Sequence, residues 1–124
     1  MAEPKTSDFK RRRILVVEDD FLIASEMVGW LEAANLEVIG PAASLQEALA
    51  LVETHGQRLH GAVLDINVRD ERVYPIADKL SSRGVPYIFT TGYDSAAIPA
   101  PYAGAPRCEK PVNRAELIQM LHQL

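Results

Sequence analysis

The stretch Ile14-Leu-Val-Val-Glu-Asp-Asp20 decides the fold. Its four leading residues are apolar, three of them β-branched, and no polar residue alternates among them. That pattern predicts a strand buried on both faces, which belongs at the centre of a parallel sheet covered by helices. Three carboxylates follow at once. The last of them, Asp20, suits the N-cap of a helix that carries Ile23, Met27, Trp30 and Leu31 at helical spacing. Gly29 is a tolerated cost inside that helix, which is predicted to end near Asn35.

The strand-then-helix unit repeats outward from there. Residues 37–43 predict a second strand, and Ser44 caps a second helix with the stripe Leu45, Ala48, Leu49 and Val52, closed by Gly56. Gly61-Ala-Val-Leu64 is the third strand. After a charged loop, Val73, Ile76, Ala77 and Leu80 mark a third helix that stops at Gly84, and Pro86-Tyr-Ile-Phe-Thr90 is the fourth strand. Residues 95–106 contain Ser95-Ala-Ala-Ile98 but also Pro99, Pro101, Gly104 and Pro106, and an interior proline costs a helix about 3 kcal/mol. A fourth helix is therefore short or irregular. Residues 107–109 predict the fifth strand, and Asn113 caps a last helix with Leu117, Ile118 and Leu121 inward. Five strands joined through helices by right-handed crossovers give an α/β fold. The expected sheet is parallel and flavodoxin-like, in the order 2-1-3-4-5, with helices on both faces.

A chain of 124 residues, 48% of them apolar, is long enough for one core and short for two domains. The net charge is -4, but the first 13 residues carry +3 and the remainder -7. An acidic body argues against nucleic acid as a partner. Residues 1–11 read as a disordered basic arm and 12–124 as the folded domain. Lys10-Arg-Arg-Arg13 could dock an anion, although a solvated lead-in to the first strand is the favoured reading. The lone Cys108 excludes an internal disulfide and is expected to be buried in its strand. The polar N-terminus lacks the apolar core of a signal peptide, and no apolar run approaches the roughly 20 residues that span a bilayer. The expectation is a cytoplasmic protein without membrane insertion.

In a doubly wound sheet the binding crevice lies at the carboxyl ends of the strands, where the order reverses, here between strands one and three. Strand one ends in Glu18-Asp19-Asp20 and strand three ends at Asp65. Neighbouring strands lie about 4.8 Å apart, so these acids converge on one edge. Crowded carboxylates raise each other's pKa, and the cluster makes most sense around a hard divalent cation such as Mg²⁺. Thr91 follows strand four, and Lys110 follows strand five. Carboxylate nucleophile, metal site, hydroxyl and ammonium together describe a phosphoryl site.

With these residues in place the sequence resembles the receiver domain of two-component response regulators (CheY-like), over residues 12–124. The matching pieces are Ile14-Leu-Val-Val-Glu-Asp-Asp20, Ala62-Val-Leu-Asp-Ile-Asn67, Thr90-Thr-Gly92 and Glu109-Lys-Pro-Val112. The resemblance implies that Asp65 is the phosphoacceptor, Asp19 a direct Mg²⁺ ligand and Glu18 a ligand acting largely through water. It implies that Asn67 lends the metal its backbone carbonyl, that Thr91 is the switch hydroxyl, that Lys110 contacts the phosphoryl group, and that the bond to Pro111 is cis. Phe89-Thr-Thr-Gly-Tyr93 is also similar to the Phe-Ala-Thr-Gly-x-Tyr signature of the FAT GUY subgroup, with Thr90 in place of Ala. That subgroup is often associated with HWE and HisKA_2 kinases.

Two departures stand out. Arg107 occupies the place of the usual switch aromatic, as FAT GUY members typically allow, and the loop Val68-Arg-Asp-Glu-Arg72 lacks the customary Met-Pro and Gly. A long, always-charged arginine does not swing into an apolar slot. The signal is therefore expected to leave Thr91 through residues 93–106, with Tyr93 or Tyr102 as the moving residue. The reading that follows is a bacterial single-domain regulator, not an enzyme beyond its own phosphorylation and dephosphorylation. It takes its phosphoryl group from a sensor histidine kinase or a histidine phosphotransfer protein, and acts on a downstream protein target or relays the group. Phe21, Leu22, Pro111 and Val112 are expected to form the kinase docking patch. The alternatives are a docking module with an inert acid cluster, or a Mg²⁺-dependent aspartyl phosphatase. The latter wants a second acid where Asn67 stands. His55, His60 and His122 lack metal spacing, and no helix-turn-helix fits within the fold.

Overall fold

The computed structural model describes residues 11–92 and 97–124. Along the chain come β1 (Arg13–Val17), α1 (Phe21–Ala33), β2 (Glu37–Ala42), α2 (Leu45–His55), β3 (Gly61–Asp65), β4 (Asn67–Val68), β5 (Glu71–Arg72), α3 (Tyr74–Ser82), β6 (Tyr87–Thr91), β7 (Arg107–Glu109) and α4 (Arg114–His122). The main sheet is parallel, in the order β2-β1-β3-β6-β7. Once the small hairpin β4-β5 is set aside, this is the expected order 2-1-3-4-5.

Alternation along β1 divides the core in two. Leu15 and Val17 join Ala48 and Val52 of α2 and Ile76, Ala77 and Leu80 of α3. Ile14 and Val16 join Met27 and Leu31 of α1 and Leu117 and Leu121 of α4. The four apolar side chains of β1, Ile14 to Val17, are within 1% of full burial, which is why no polar residue breaks the run. Burying each such side chain fully contributes about 1.5–3 kcal/mol.

Helix ends follow the expected chemistry. Asp20 accepts hydrogen bonds from the N–H groups of Leu22 and Ile23 at 2.9 and 3.1 Å, Ser44 from Glu47 at 3.1 Å, and Asn113 from Glu116 at 2.9 Å. The C-terminal ends of α1 and α3 close with a left-handed residue, Asn35 (φ 65°) and Gly84 (φ 73°). In each case the next N–H reaches back to a helix carbonyl, Leu36 to Leu31 and Val85 to Leu80, both at 2.9 Å.

Four expectations need correction. Gly56 does not end its helix by turning left-handed. It keeps right-handed φ (-41°) and leads into a 3₁₀ turn, Gly56–Arg58. Its missing side chain makes room for Arg83, whose Cδ and Nε would lie 2.6 and 2.7 Å from a Cβ. Helix α3 starts at Tyr74, after Val73, and has no side-chain cap. The charged loop after β3 is a hairpin, with Asn67 opposite Arg72 and Val68 opposite Glu71. Its two turn residues, Arg69 and Asp70, both have positive φ (52° and 66°), the geometry of a two-residue type I′ turn. Finally, of the basic run expected to be a solvated lead-in, Lys10 lies outside the described residues and Arg12 and Arg13 are not simply solvated. The Arg12 guanidinium donates to the Leu121 and Leu124 carbonyls at 3.3 and 3.2 Å, and Arg13 Nε donates to the Arg58 carbonyl at 2.9 Å. The Arg12 contacts tie the residue before β1 to the C-terminal end of α4, and the Arg13 contact ties β1 to the 3₁₀ turn after α2.

Where a fourth helix was expected to be short, a 3₁₀ turn, Ala100–Tyr102, is seen. Residues 1–10, which hold most of the expected disordered arm, lie outside the described residues. Cys108 is buried with its Sγ 3.3 Å from Met120 Sδ, and burial pushes its thiol up to about 11. No helix of the described residues is long and apolar enough to cross a membrane.

Two glycines predict opposite outcomes. Gly40 has φ +101°, and a Cβ there would meet backbone, Ala42 N at 2.9 Å and Val16 O at 3.0 Å. Gly40→Ala should destabilise by about 1–3 kcal/mol. Gly29, in open space on α1, should instead gain about 0.8–1 kcal/mol on mutation to Ala. Urea denaturation of the two variants measures both.

Candidate functional site

The register of the sheet builds the site. Val17 pairs with Leu64, so Glu18 and Asp65 leave neighbouring strands side by side. Asp65 pairs with Thr90, and Thr91 with Glu109, which delivers Thr91 and then Lys110 to the same edge. One oxygen each from Glu18, Asp19 and Asp65 lies within 4.8 Å of the others. Glu18 and Asp65 are buried while Asp19 is exposed. The cluster thus has a dry floor and a wet mouth.

Backbone groups fix each carboxylate. Asp20 N–H donates to Glu18 Oε2 at 3.0 Å, Arg69 N–H to Asp19 Oδ2 at 2.8 Å, and Asn67 N–H to Asp65 Oδ1 at 3.2 Å. Lys110 Nζ lies 2.9 Å from Asp65 Oδ2 and 3.4 Å from Glu18 Oε1. Its placement is set by the Lys110 N–H bond to the Thr91 carbonyl at 2.8 Å, and the Lys110-Pro111 peptide is cis, as expected.

The electrostatics are those of crowded acids. Burial pushes the Glu18 carboxyl up to about 7, helped by the Asp65 charge and opposed by the Asp20 N–H and Lys110. Burial works against the charged form of Lys110, but Asp65 and Glu18 outweigh it and raise the ammonium above its ordinary value. Glu18 Oε1 is buried and accepts no hydrogen bond among the described residues. A buried carboxylate oxygen held by no hydrogen bond, only by the 3.4 Å ion pair to Lys110, and lying beside two further acid oxygens fits a hard, oxygen-seeking divalent cation.

A cleft of about 250 Å³ opens beside Asp65 and Thr91, with Asn67, Arg72, Tyr74 and Pro99 in its walls. Thr91 is itself buried and lines this cleft. Phe21 and Leu22 are 78% and 76% exposed at the start of α1. Pro111 and Val112 line a separate hollow of about 100 Å³ with Ile23, Met27 and Trp30. Tyr102 stands off the acid cluster. It stacks on Tyr74 with ring centroids 4.4 Å apart, and its hydroxyl donates to Asp78 at 2.8 Å. Arg107 lies exposed on β7, and Tyr93 falls outside the described residues. Sequence reasoning missed Arg72 and Tyr74 as cleft residues, because it read the hairpin that carries Arg72 and leads into α3 as an open loop.

No family model matches the sequence, and no curated protein matches it. Solved structures do. The solution structure of SdrG from Sphingomonas melonis Fr1 is 31% identical, with 90% of this chain and 94% of that one covered, at a TM-score of 0.78. The solution structure of the BeF3-activated conformation of SdrG from Pseudomonas melonis Fr1 is 30% identical, covering 89% and 92%, at 0.73. A response regulator receiver domain protein (CheY-like) from Methanospirillum hungatei JF-1 is 29% identical, covering 92% and 93%, at 0.79. The chain belongs to the CheY-like response regulator receiver family.

The Glu18 shift gives a signed prediction. A carboxyl whose folded pKa stands above its ordinary value of 4.5 binds its proton more tightly in the folded state. This contribution to stability is therefore full below about pH 4.5 and is lost as pH rises through about 7. In metal-free buffer, stability should decline across that window. Glu18→Gln should remove the decline, as urea midpoints measured at several pH values would show.

Proposed function

We propose that this chain is a phosphorylation-switched receiver in which Asp65 accepts a phosphoryl group from a histidine kinase or a histidine phosphotransfer protein. One observation carries the reading. The Asp65 carboxylate is buried at the sheet edge with one oxygen on Lys110 Nζ and the other on the Asn67 N–H, beside the Glu18 and Asp19 oxygens. That arrangement fixes a nucleophile and places positive charge where a phosphoryl group needs it. The BeF3-activated form of SdrG, a relative of matching fold, supports an activation of this kind.

The roles divide by position. Asp65 attacks phosphorus. Lys110 and the Thr91 hydroxyl then bind the phosphoryl oxygens and draw the carboxyl ends of β6 and β7 toward the group. Glu18, Asp19, Asp65 and the Asn67 backbone carbonyl would hold Mg²⁺. When bound, Mg²⁺ offsets charge on the carboxylates and the phosphoryl oxygens. The exposed pair Phe21 and Leu22, with Pro111 and Val112, forms the kinase docking patch. The Phe89-Thr-Thr-Gly-Tyr93 motif, with Arg107 where an aromatic usually switches, supports membership of the FAT GUY subgroup and a kinase of HWE or HisKA_2 type. The protein is cytoplasmic and bacterial, turns over only its own phosphoryl group, and signals through a downstream protein. Tyr102, held by Tyr74 and Asp78, is the described residue through which the signal leaves.

Asp65→Asn should keep the fold and lose labelling by radiolabelled acetyl phosphate, because the amide is nearly isosteric but forms no acyl phosphate. Undiminished labelling would overturn the assignment. Asp19→Ala should abolish Mg²⁺ dependence, whereas Asp20→Ala should cost about 1 kcal/mol of stability as a lost cap and leave metal affinity nearly unchanged. Mg²⁺ titration of both variants decides between the two acids. Adding beryllofluoride and Mg²⁺ should shift the Tyr102 ring resonances, and unchanged resonances would rule that residue out of the switch.

A further inference from the structure

We propose that Arg72 is a second cationic contact for the phosphoryl group, held across the cleft by the β4-β5 hairpin. The inference rests on Asp65 as phosphoacceptor and extends that site by one residue. Arg72 lines the cleft that Asp65 and Thr91 also line. Its Nη1 donates to the Asn67 side-chain oxygen, and Asn67 in turn donates its N–H to Asp65 Oδ1. The guanidinium is thus parked one residue from the acceptor carboxylate, on a neutral amide. Among the described residues it makes no ion pair, unlike Lys79, Arg83 and Lys110. Five N–H donors in a planar fork leave it donors to spare for phosphoryl oxygens.

The hairpin is built to hold that position. Fully buried Val68 and Val73 anchor it on both sides of the turn. Arg69 and Asp70 accept positive φ, a conformation unfavourable for non-glycine residues that is often kept where function needs it. The Arg69 N–H also binds Asp19, so one hairpin addresses the acid cluster through its turn and the cleft through Arg72. A merely solvent-facing loop would require neither contact.

Charge supplies the need. Three carboxylates face one ammonium, and a divalent cation brings the set to neutrality. Phosphoryl transfer breaks the donor's bond to phosphorus, with the electron pair leaving on the donor, and forms an oxygen–phosphorus bond on Asp65. The Asp65 charge is consumed and a phosphoryl group of about two negative charges takes its place. One negative charge is left over. Arg72 offsets it and exchanges no proton or electron in the step.

The test compares Arg72→Ala, Arg72→Lys and Asn67→Ala in the full chain, using beryllofluoride with Mg²⁺ as the phosphoryl probe. Arg72→Ala should weaken beryllofluoride binding, and slow labelling by acetyl phosphate, by about tenfold, with Lys recovering part of the loss. Affinity for Mg²⁺ alone should stay the same or rise, because a nearby positive charge has gone. A structural collapse of the site would lower both affinities together. In the Asn67→Ala background, which keeps the backbone carbonyl, Arg72→Ala should still cost about tenfold. If the loss vanishes there, or never appears in the single variant, Arg72 does not touch the phosphoryl group and the proposal fails alone. If the unmodified protein neither binds beryllofluoride nor is labelled, the phosphoacceptor reading falls and takes this one with it.

Discussion

Two carboxylates at the ends of adjacent parallel strands are the constraint from which the site follows. The β1-β3 register makes Glu18 and Asp65 neighbours in a buried edge, and two like charges at about 4 Å repel by about 4 kcal/mol at an effective dielectric constant of 20. The fold answers with a single ammonium, Lys110, placed within reach of both. One cation cannot satisfy three acids. Burial first, and the neighbouring Asp65 charge after it, hold the Glu18 carboxyl near neutral pH, so a proton and a divalent cation would compete for the same oxygens.

The same constraint explains why backbone N–H groups matter so much at this edge. A side-chain donor would bring another flexible group to be ordered, whereas N–H groups at Asp20, Asn67 and Arg69 are fixed by the elements that carry them. Each belongs to a different local device. Asp20 is the N-cap of α1, Asn67 opens β4, and Arg69 sits in a left-handed turn. Holding the carboxylates therefore depends on helix capping and turn geometry as much as on the sheet.

What could be read from the sequence divides along the same physical line. Strands buried on both faces announce themselves as unbroken apolar runs, and caps announce themselves by Asp20, Ser44 and Asn113, so the order of elements and the convergence of Glu18, Asp19, Asp65, Thr91 and Lys110 were legible. The hairpin was not. A type I′ turn is normally flagged by Asn-Gly or Asp-Gly, and Arg69-Asp70 gives no such signal. Val68 inside a charged run was the available clue, a fully buried side chain flanked by residues that could not be. Gly56 illustrates the converse. A glycine at a helix end ordinarily means a left-handed cap, yet here it clears space for an arginine 27 positions away in sequence, which no local pattern reveals.

The aromatic residues give the acid site a mechanical neighbour. Tyr74 lines the cleft, meets the buried Phe89 edge-on with centroids 5.9 Å apart, and stacks on Tyr102 with ring planes 14° apart. Phe89 lies on β6, two residues before Thr91, and Tyr102 lies on the 3₁₀ turn that leads to β7. Each such ring contact contributes about 0.5–1.5 kcal/mol beyond the area it buries. A shift of β6 toward the cleft must therefore carry Tyr74 along or lose that contact. A shift of Tyr74 must in turn carry Tyr102 or break both the stack and the hydrogen bond to Asp78. Three rings thus join the floor of the cleft to the connection before β7. The packed path these rings make begins on β6, two residues before Thr91, and ends at the half-buried Tyr102.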